Sequence, residues 1–133
     1  MNVWFADAHF FIALLNKRDR DHPRALAIIH DLTTDLLTTP WVLAEVADGV
    51  AARDTRGGFL RLLKLLRSHR RVTIKPVEQA DFDLGVELYA QRGDKDWTLT
   101  DCISFVLMRQ RGITEALTGD HHFEQAGFVP LLK

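Results

Sequence analysis

Asp96-Trp97-Thr98-Leu99-Thr100-Asp101-Cys102-Ile103-Ser104-Phe105-Val106-Leu107-Met108 is the stretch whose reading decides the fold, and Ala116-Leu117-Thr118-Gly119-Asp120 answers it downstream. Thr98 stands three residues before Asp101 in an N-terminal capping pattern, and the residues that follow are almost all hydrophobic, so a loop enters a largely buried helix with Asp101 in its first turn. The second stretch is a short apolar run ending in Thr-Gly-Asp, the way a buried parallel strand delivers an acid to its carboxyl end. Two acids distant in sequence are thereby expected on one rim.

Working outward, 133 residues with 47% hydrophobic side chains make one domain, 1–133, with a sizeable core. The formal net charge of −1 excludes a polycation, so any contact with nucleic acid must come from a local patch. The single cysteine, Cys102, falls inside an apolar helix, which excludes an internal disulfide and fits a reducing compartment. With no apolar run reaching the roughly 18 residues of a membrane span and no cleavable leader, the expectation is a soluble, cytoplasmic protein with no membrane partner.

Before that motif, Asn2 to Ala6 reads as a strand, Asp7 as the junction with an apolar helix Ala8 to Leu15, and Pro23 as the opening of a helix to about Asp31 with Leu26 and Ile29 inward. Leu36 to Thr39 is a second strand stopped by Pro40. In the helix from Trp41 to about Ala52, Glu45 shares a face with Trp41, Val42 and Gly49, so its carboxylate is expected in apolar company and in need of a partner. Gly57-Gly58 lets another helix begin near Phe59. Its bases Arg61, Lys64 and Arg67 spread over about 120° of the wheel, and with Arg53, Arg56, Arg70 and Arg71 they form the best candidate for phosphate contact. Its broad apolar arc suggests burial against a second chain.

Val72 to Ile74 is a third strand, and Gln79 to about Gln91 a helix with Phe82, Val86 and Tyr89 on one face. After the motif helix Leu99 to Arg111, Glu115 to Thr118 is a fourth strand, His121 to Ala126 a helical turn, and Phe128 to Leu132 an edge strand because it contains Pro130. Alternating strands and helices predict a doubly wound α/β domain, in which ligands gather at the carboxyl ends of the strands. Asp7 and Asp120 sit at such ends, and Asp101 and Glu45 lean over from helical turns. Four acids in one crevice call for a divalent cation, and oxygen donors favour Mg²⁺ or Mn²⁺. Such a cation suits hydrolysis of RNA or DNA by activated water.

In order along the chain, Phe5-Ala6-Asp7, Pro40-Trp41-Val42-Leu43-Ala44-Glu45-Val46, Asp96 through Thr100-Asp101, and Thr118-Gly119-Asp120-His121-His122-Phe123 resemble the PIN-domain family at the size of a stand-alone VapC-type toxin. The resemblance implies a three-layer domain with a mostly parallel sheet of four to five strands. It also implies a metal-dependent ribonuclease, commonly a homodimer and commonly silenced by a small antitoxin. Carried over by position, Asp7, Glu45, Asp101 and Asp120 are the metal-binding acids, Asp96 an auxiliary acid and Thr118 a hydroxyl beside them. One departure stands out: family members often follow the first acid with a small hydroxyl residue, and here Ala8 and His9 follow Asp7, with His9 expected as a structural or phosphate-contacting side chain. His121 and His122 are adjacent and so are not expected to act together. A catalytically inactive PIN-like module that binds RNA or protein is the alternative. A phosphoacceptor receiver domain, superficially matched by Lys75-Pro76, is disfavoured because Asp7 has no acidic neighbour and no central strand ends in Asp.

Overall fold

A computed structural model describes residues 2–133; Met1, the first residue of the expected domain, lies outside the described residues. Five strands, β1 (Val3–Ala6), β2 (Asp35–Thr38), β3 (Val72–Ile74), β4 (Glu115–Leu117) and β5 (Val129–Pro130), form one sheet in the order β3-β2-β1-β4-β5. Every pairing is parallel. β1 is central: Phe5 lies opposite Leu37 on one side and Ala116 on the other. Such a strand is buried on both faces, which explains why Phe5 and Ala6 have no exposed surface.

Seven helices fill the connections: α1 (Ala8–Leu15), α2 (His22–His30), α3 (Pro40–Gly49), α4 (Arg56–Ser68), α5 (Gln79–Gln91), α6 (Leu99–Arg111) and α7 (His121–Gln125). They flank the sheet in two principal groups, α1 with α2 and α3, and α5 with α6. The fold is therefore the expected α/β layered arrangement with a parallel central sheet, and β5 is an edge strand as Pro130 required. α6 anchors the core. Phe105 meets Trp97 edge-on at 5.0 Å and Phe123 edge-on at 4.9 Å between centroids, so one buried ring joins the loop before α6 to α7. Burying a ring of this size stabilises the fold by roughly 1.5–3 kcal/mol, and here it also sets the spacing between the segments that carry Asp101 and Asp120.

Several boundaries and faces differ from the sequence expectation. α4 begins at Arg56 rather than Phe59, so Gly57 and Gly58 lie inside its first turn. α3 stops at Gly49 because the Ala51 carbonyl accepts from Nε and Nη2 of Arg56, at 3.1 and 2.9 Å, and the Val50 carbonyl from the Thr55 hydroxyl. In α2 the inward place belongs to Ala25, and Leu26 is exposed. In α5 the shared face of Phe82, Val86 and Tyr89 turns to solvent, while Asp81 and Gly85 are buried. Gly85 is the reason: a Cβ there would lie 3.1 Å from Cα of Ile103 and overlap its side chain, so α5 approaches α6 through bare backbone.

Asp81 is buried because Lys75 is buried beside it. The lysine Nζ donates to Asp81 Oδ2 at 2.6 Å and to Glu78 Oε1 at 2.8 Å, which raises the lysine pKa above its ordinary value. This pair locks the end of β3 to the start of α5. Asp81→Ala leaves the ammonium inside with only the exposed Glu78 and is expected to cost about 3–5 kcal/mol in urea unfolding. Replacing Lys75 and Asp81 together by Met and Leu is expected to cost much less.

Candidate metal centre

Asp7 follows β1 directly and precedes α1, and its side chain does not cap that helix. Instead Oδ2 accepts the Thr118 hydroxyl at 3.0 Å, and the same hydroxyl oxygen accepts the Asp120 backbone N–H at 3.0 Å. Thr118 thus ties the end of β1 to the turn after β4. Asp120 caps α7, with Oδ1 accepting the His122 N–H at 2.9 Å. β1 and β4 are adjacent parallel strands, so their carboxyl ends necessarily bring residues 7 and 118–120 together.

Asp101 arrives from the other direction. The expected capping box is present: the Asp101 N–H donates to Thr98 Oγ1 at 3.0 Å, and the Thr98 N–H donates to Asp101 Oδ2 at 3.1 Å. His122 Nδ1 lies 3.0 Å from that same Oδ2 and 3.5 Å from Asp120 Oδ1. His122 therefore stands between two acids, a role that reasoning from helical spacing missed. Adjacent residues do not share a face of a long helix, but α7 is five residues long and His121 and His122 both sit in its first turn. One ligand atom each from Asp120, His121 and His122 falls within 4.8 Å of the others, so the short helix brings the two adjacent histidines to the same side of Asp120.

Glu45 departs from its expected setting. The residue is exposed on α3, and the groups that act on its carboxyl are acids, not the apolar residues of its own helix. Loss of hydration at the carboxyl raises its pKa most, followed by the charges of Asp101, Asp120 and Asp48. Asp101 is likewise raised, first by burial, against the lowering effects of the Thr98 amide and His122. The charges of Asp101 and Glu45 thus act on Asp7, and that of Asp120 acts on Glu45 and Asp101, so the four acids face one end of the sheet.

The remaining predicted residues lie outside it. Asp96 is exposed, makes no hydrogen bond to the four acids, and lines a separate pocket with Tyr89, Arg92 and Lys95. Arg53, Arg56, Arg61, Lys64 and Arg67 are exposed around α4 and form no ion pair with the acids. Arg56 is committed to the Ala51 carbonyl, and Arg61 folds back over Gly57.

Asp7 carries the strongest perturbation. Burial raises its pKa from 3.8 to about 7, with the charges of Asp101 and Glu45 adding and the Ala8 amide and Thr118 hydroxyl opposing. A carboxyl raised in the folded state binds its proton more tightly there than in the unfolded chain. Stability is therefore greatest below the unfolded value and is lost as pH rises from about 4 to about 7. In metal-free buffer, Asp7→Asn is expected to melt like the parent near pH 4 and to exceed it above pH 7 by roughly 2–4 kcal/mol, read from denaturant titrations across that range.

The model of the PIN domain family matches residues 4–129. The 23S rRNA-specific endonuclease VapC20 of Mycobacterium tuberculosis, from strains H37Rv and CDC 1551, is 28% identical over 128 residues, covering 94% of this chain and 95% of the relative. The crystal structure of VapC20, described as a sarcin-ricin loop cleaving toxin, superposes with a TM-score of 0.86 at 25% identity, covering 98% of each chain. VapBC2 from Rickettsia felis shares the fold at a TM-score of 0.64 and 14% identity over 96% of both chains. FitAcB from Neisseria gonorrhoeae does so at 0.61 and 18%, over 96% of this chain and 94% of that one. By sequence across nearly its whole length, and with the parallel sheet and the acidic rim just described, this chain belongs to the PIN domain family.

Proposed function

We propose that this protein is a metal-dependent endoribonuclease that hydrolyses RNA phosphodiester bonds, and that it is the cytoplasmic toxin of a toxin-antitoxin pair, acting as a homodimer and held in check by a small antitoxin protein. The observation that carries the reading is the convergence of Asp7, Glu45, Asp101 and Asp120, with Asp7 buried and raised to about 7. The full-length relationship to a ribosomal-RNA endonuclease supports RNA as the substrate class.

The donor set fits a hard divalent cation. Four carboxyls, two of them buried, repel one another when ionised, and a cation among them removes both the repulsion and the hydration deficit. Asp7, Glu45, Asp101 and Asp120 would hold Mg²⁺ or Mn²⁺. When bound, the cation supplies Lewis acidity toward a water nucleophile and toward the non-bridging oxygens of the phosphate. The chain's own residues set the geometry. The Thr118 hydroxyl keeps Asp7 and the Asp120 backbone in register, and the Thr98 amide and His122 fix Oδ2 of Asp101. The exposed bases Arg53, Arg61, Lys64 and Arg67 bind flanking phosphates, with Arg56 contributing any donors left by its carbonyl contact.

Incubation of the purified protein with total RNA, with and without Mn²⁺, is expected to give new ends at discrete positions only when metal is present. Asp7→Asn, Asp101→Asn and Asp120→Asn are each expected to reduce cleavage by at least about a hundredfold and to abolish the rise in melting temperature on adding Mn²⁺. Metal stabilisation without cleavage, with RNA still bound, would favour a binding module. Changing Arg61, Lys64 and Arg67 together to Ala is expected to weaken RNA binding and to lower the slope of log affinity against log salt by about 2.

A further inference from the structure

Beside the acidic rim lies a second arrangement that the four acids do not require. His9, in the first turn of α1, reaches Asp21 across the turn between α1 and α2, with Nε2 2.9 Å from Oδ2. Asp21 is itself firmly held. Its side chain is 6% exposed, it begins α2, its N–H donates to Asp19 Oδ1 at 2.8 Å, and Arg24 Nη1 lies 3.5 Å from its other oxygen. The carboxylate therefore sits between the imidazole and the Arg24 guanidinium, and the histidine bond holds its pKa below the usual carboxylate range.

The other side of the ring rests on Gly119, between Thr118 and Asp120. A Cβ placed on Gly119 would lie 2.8 Å from Cε1, 3.2 Å from Nε2 and 3.4 Å from Nδ1 of His9. Both nitrogens lie only 0.4 and 0.6 Å farther than Cε1, closer than an in-plane approach to Cε1 would leave them, so the imidazole turns the face at its Cε1 end toward the glycine. One face is therefore covered by backbone and one edge is fixed by a carboxylate. The side chain remains 32% exposed, so part of the ring reaches solvent beside the turn that carries Asp120. A flat ring braced from behind and clamped at its rim is the form of a stacking platform, because unstacked RNA bases are held on aromatic faces irrespective of sequence or charge.

We propose that His9 stacks on the base of a nucleotide adjacent to the scissile phosphate and so positions single-stranded RNA over the acids. This rests on the reading of the protein as an RNA-cleaving enzyme, and it adds a substrate-contacting residue outside the four-acid set. Stacking depends on the ring's face rather than on its protonation, so an aromatic side chain substitutes for it and an amide does not. Asp21 acts through His9, as a positioning residue.

The test uses short single-stranded RNAs of mixed sequence, end-labelled and carrying one abasic nucleotide at each position in turn, with the full-length protein. Binding is read by fluorescence anisotropy in Ca²⁺, and cleavage separately in Mn²⁺. His9→Ala is expected to weaken binding by about 5- to 100-fold and to raise KM more than it lowers kcat. His9→Phe is expected to restore most of the loss and His9→Gln little of it. With the parent protein, one abasic position reproduces the loss, and that position has no further effect in His9→Ala. The proposal is overturned if His9→Ala binds like the parent, if Gln restores binding as well as Phe, or if no abasic position matters to the parent. Since binding is read without turnover, absence of cleavage in Mn²⁺ with the stacking effect intact would retire the nuclease reading and leave the His9 contact standing.

Discussion

The mutual repulsion of Asp7, Glu45, Asp101 and Asp120 is the constraint on which the rest of this structure depends. An acid as buried as Asp7 is tolerated only as a neutral group or beside a compensating charge, and burial with the neighbouring acids pushes its pKa up to about 7. The fold holds the cluster together by means that do not relax when the charges oppose it. β1 and β4 are adjacent in the sheet, Thr118 bridges their ends, and Phe105 fixes α6 against α7. The energy that keeps the acids close comes from the core beneath them.

Much of this was legible in the chain. The alternation of short apolar strands with helices gave the layered α/β fold, and Thr98 with Asp101 gave the capping box, because both are local patterns that burial reinforces. Asp7 and Asp120 were readable as acids delivered by strand ends. What was not legible depends on contacts between distant segments. Helical spacing places Glu45 among apolar neighbours of its own helix and is blind to Asp101 and Asp120, which come from elsewhere. α5 shows the same limit: its periodic Phe82, Val86 and Tyr89 face outward, because only Gly85 permits the close approach to Ile103 and only Asp81 answers Lys75.

The histidines illustrate the point at shorter range. His122 meets Asp101 across 21 positions and His9 meets Asp21 across 12, and neither pairing follows from a period of 3.6. A signal was nonetheless present. His9 occupies the region where the family often carries a small hydroxyl residue, and Gly119 sits where any larger residue would collide with the ring.

The placement of β4 has a consequence for the timing of synthesis. The strand that completes the rim spans Glu115–Leu117, so Asp120 leaves a translating ribosome 113 positions after Asp7. While that segment is still inside the exit tunnel, β1 has no neighbour on one side and the acids cannot be gathered. Until that segment emerges, the polypeptide lacks both Asp120 and the Thr118 hydroxyl that holds Asp7.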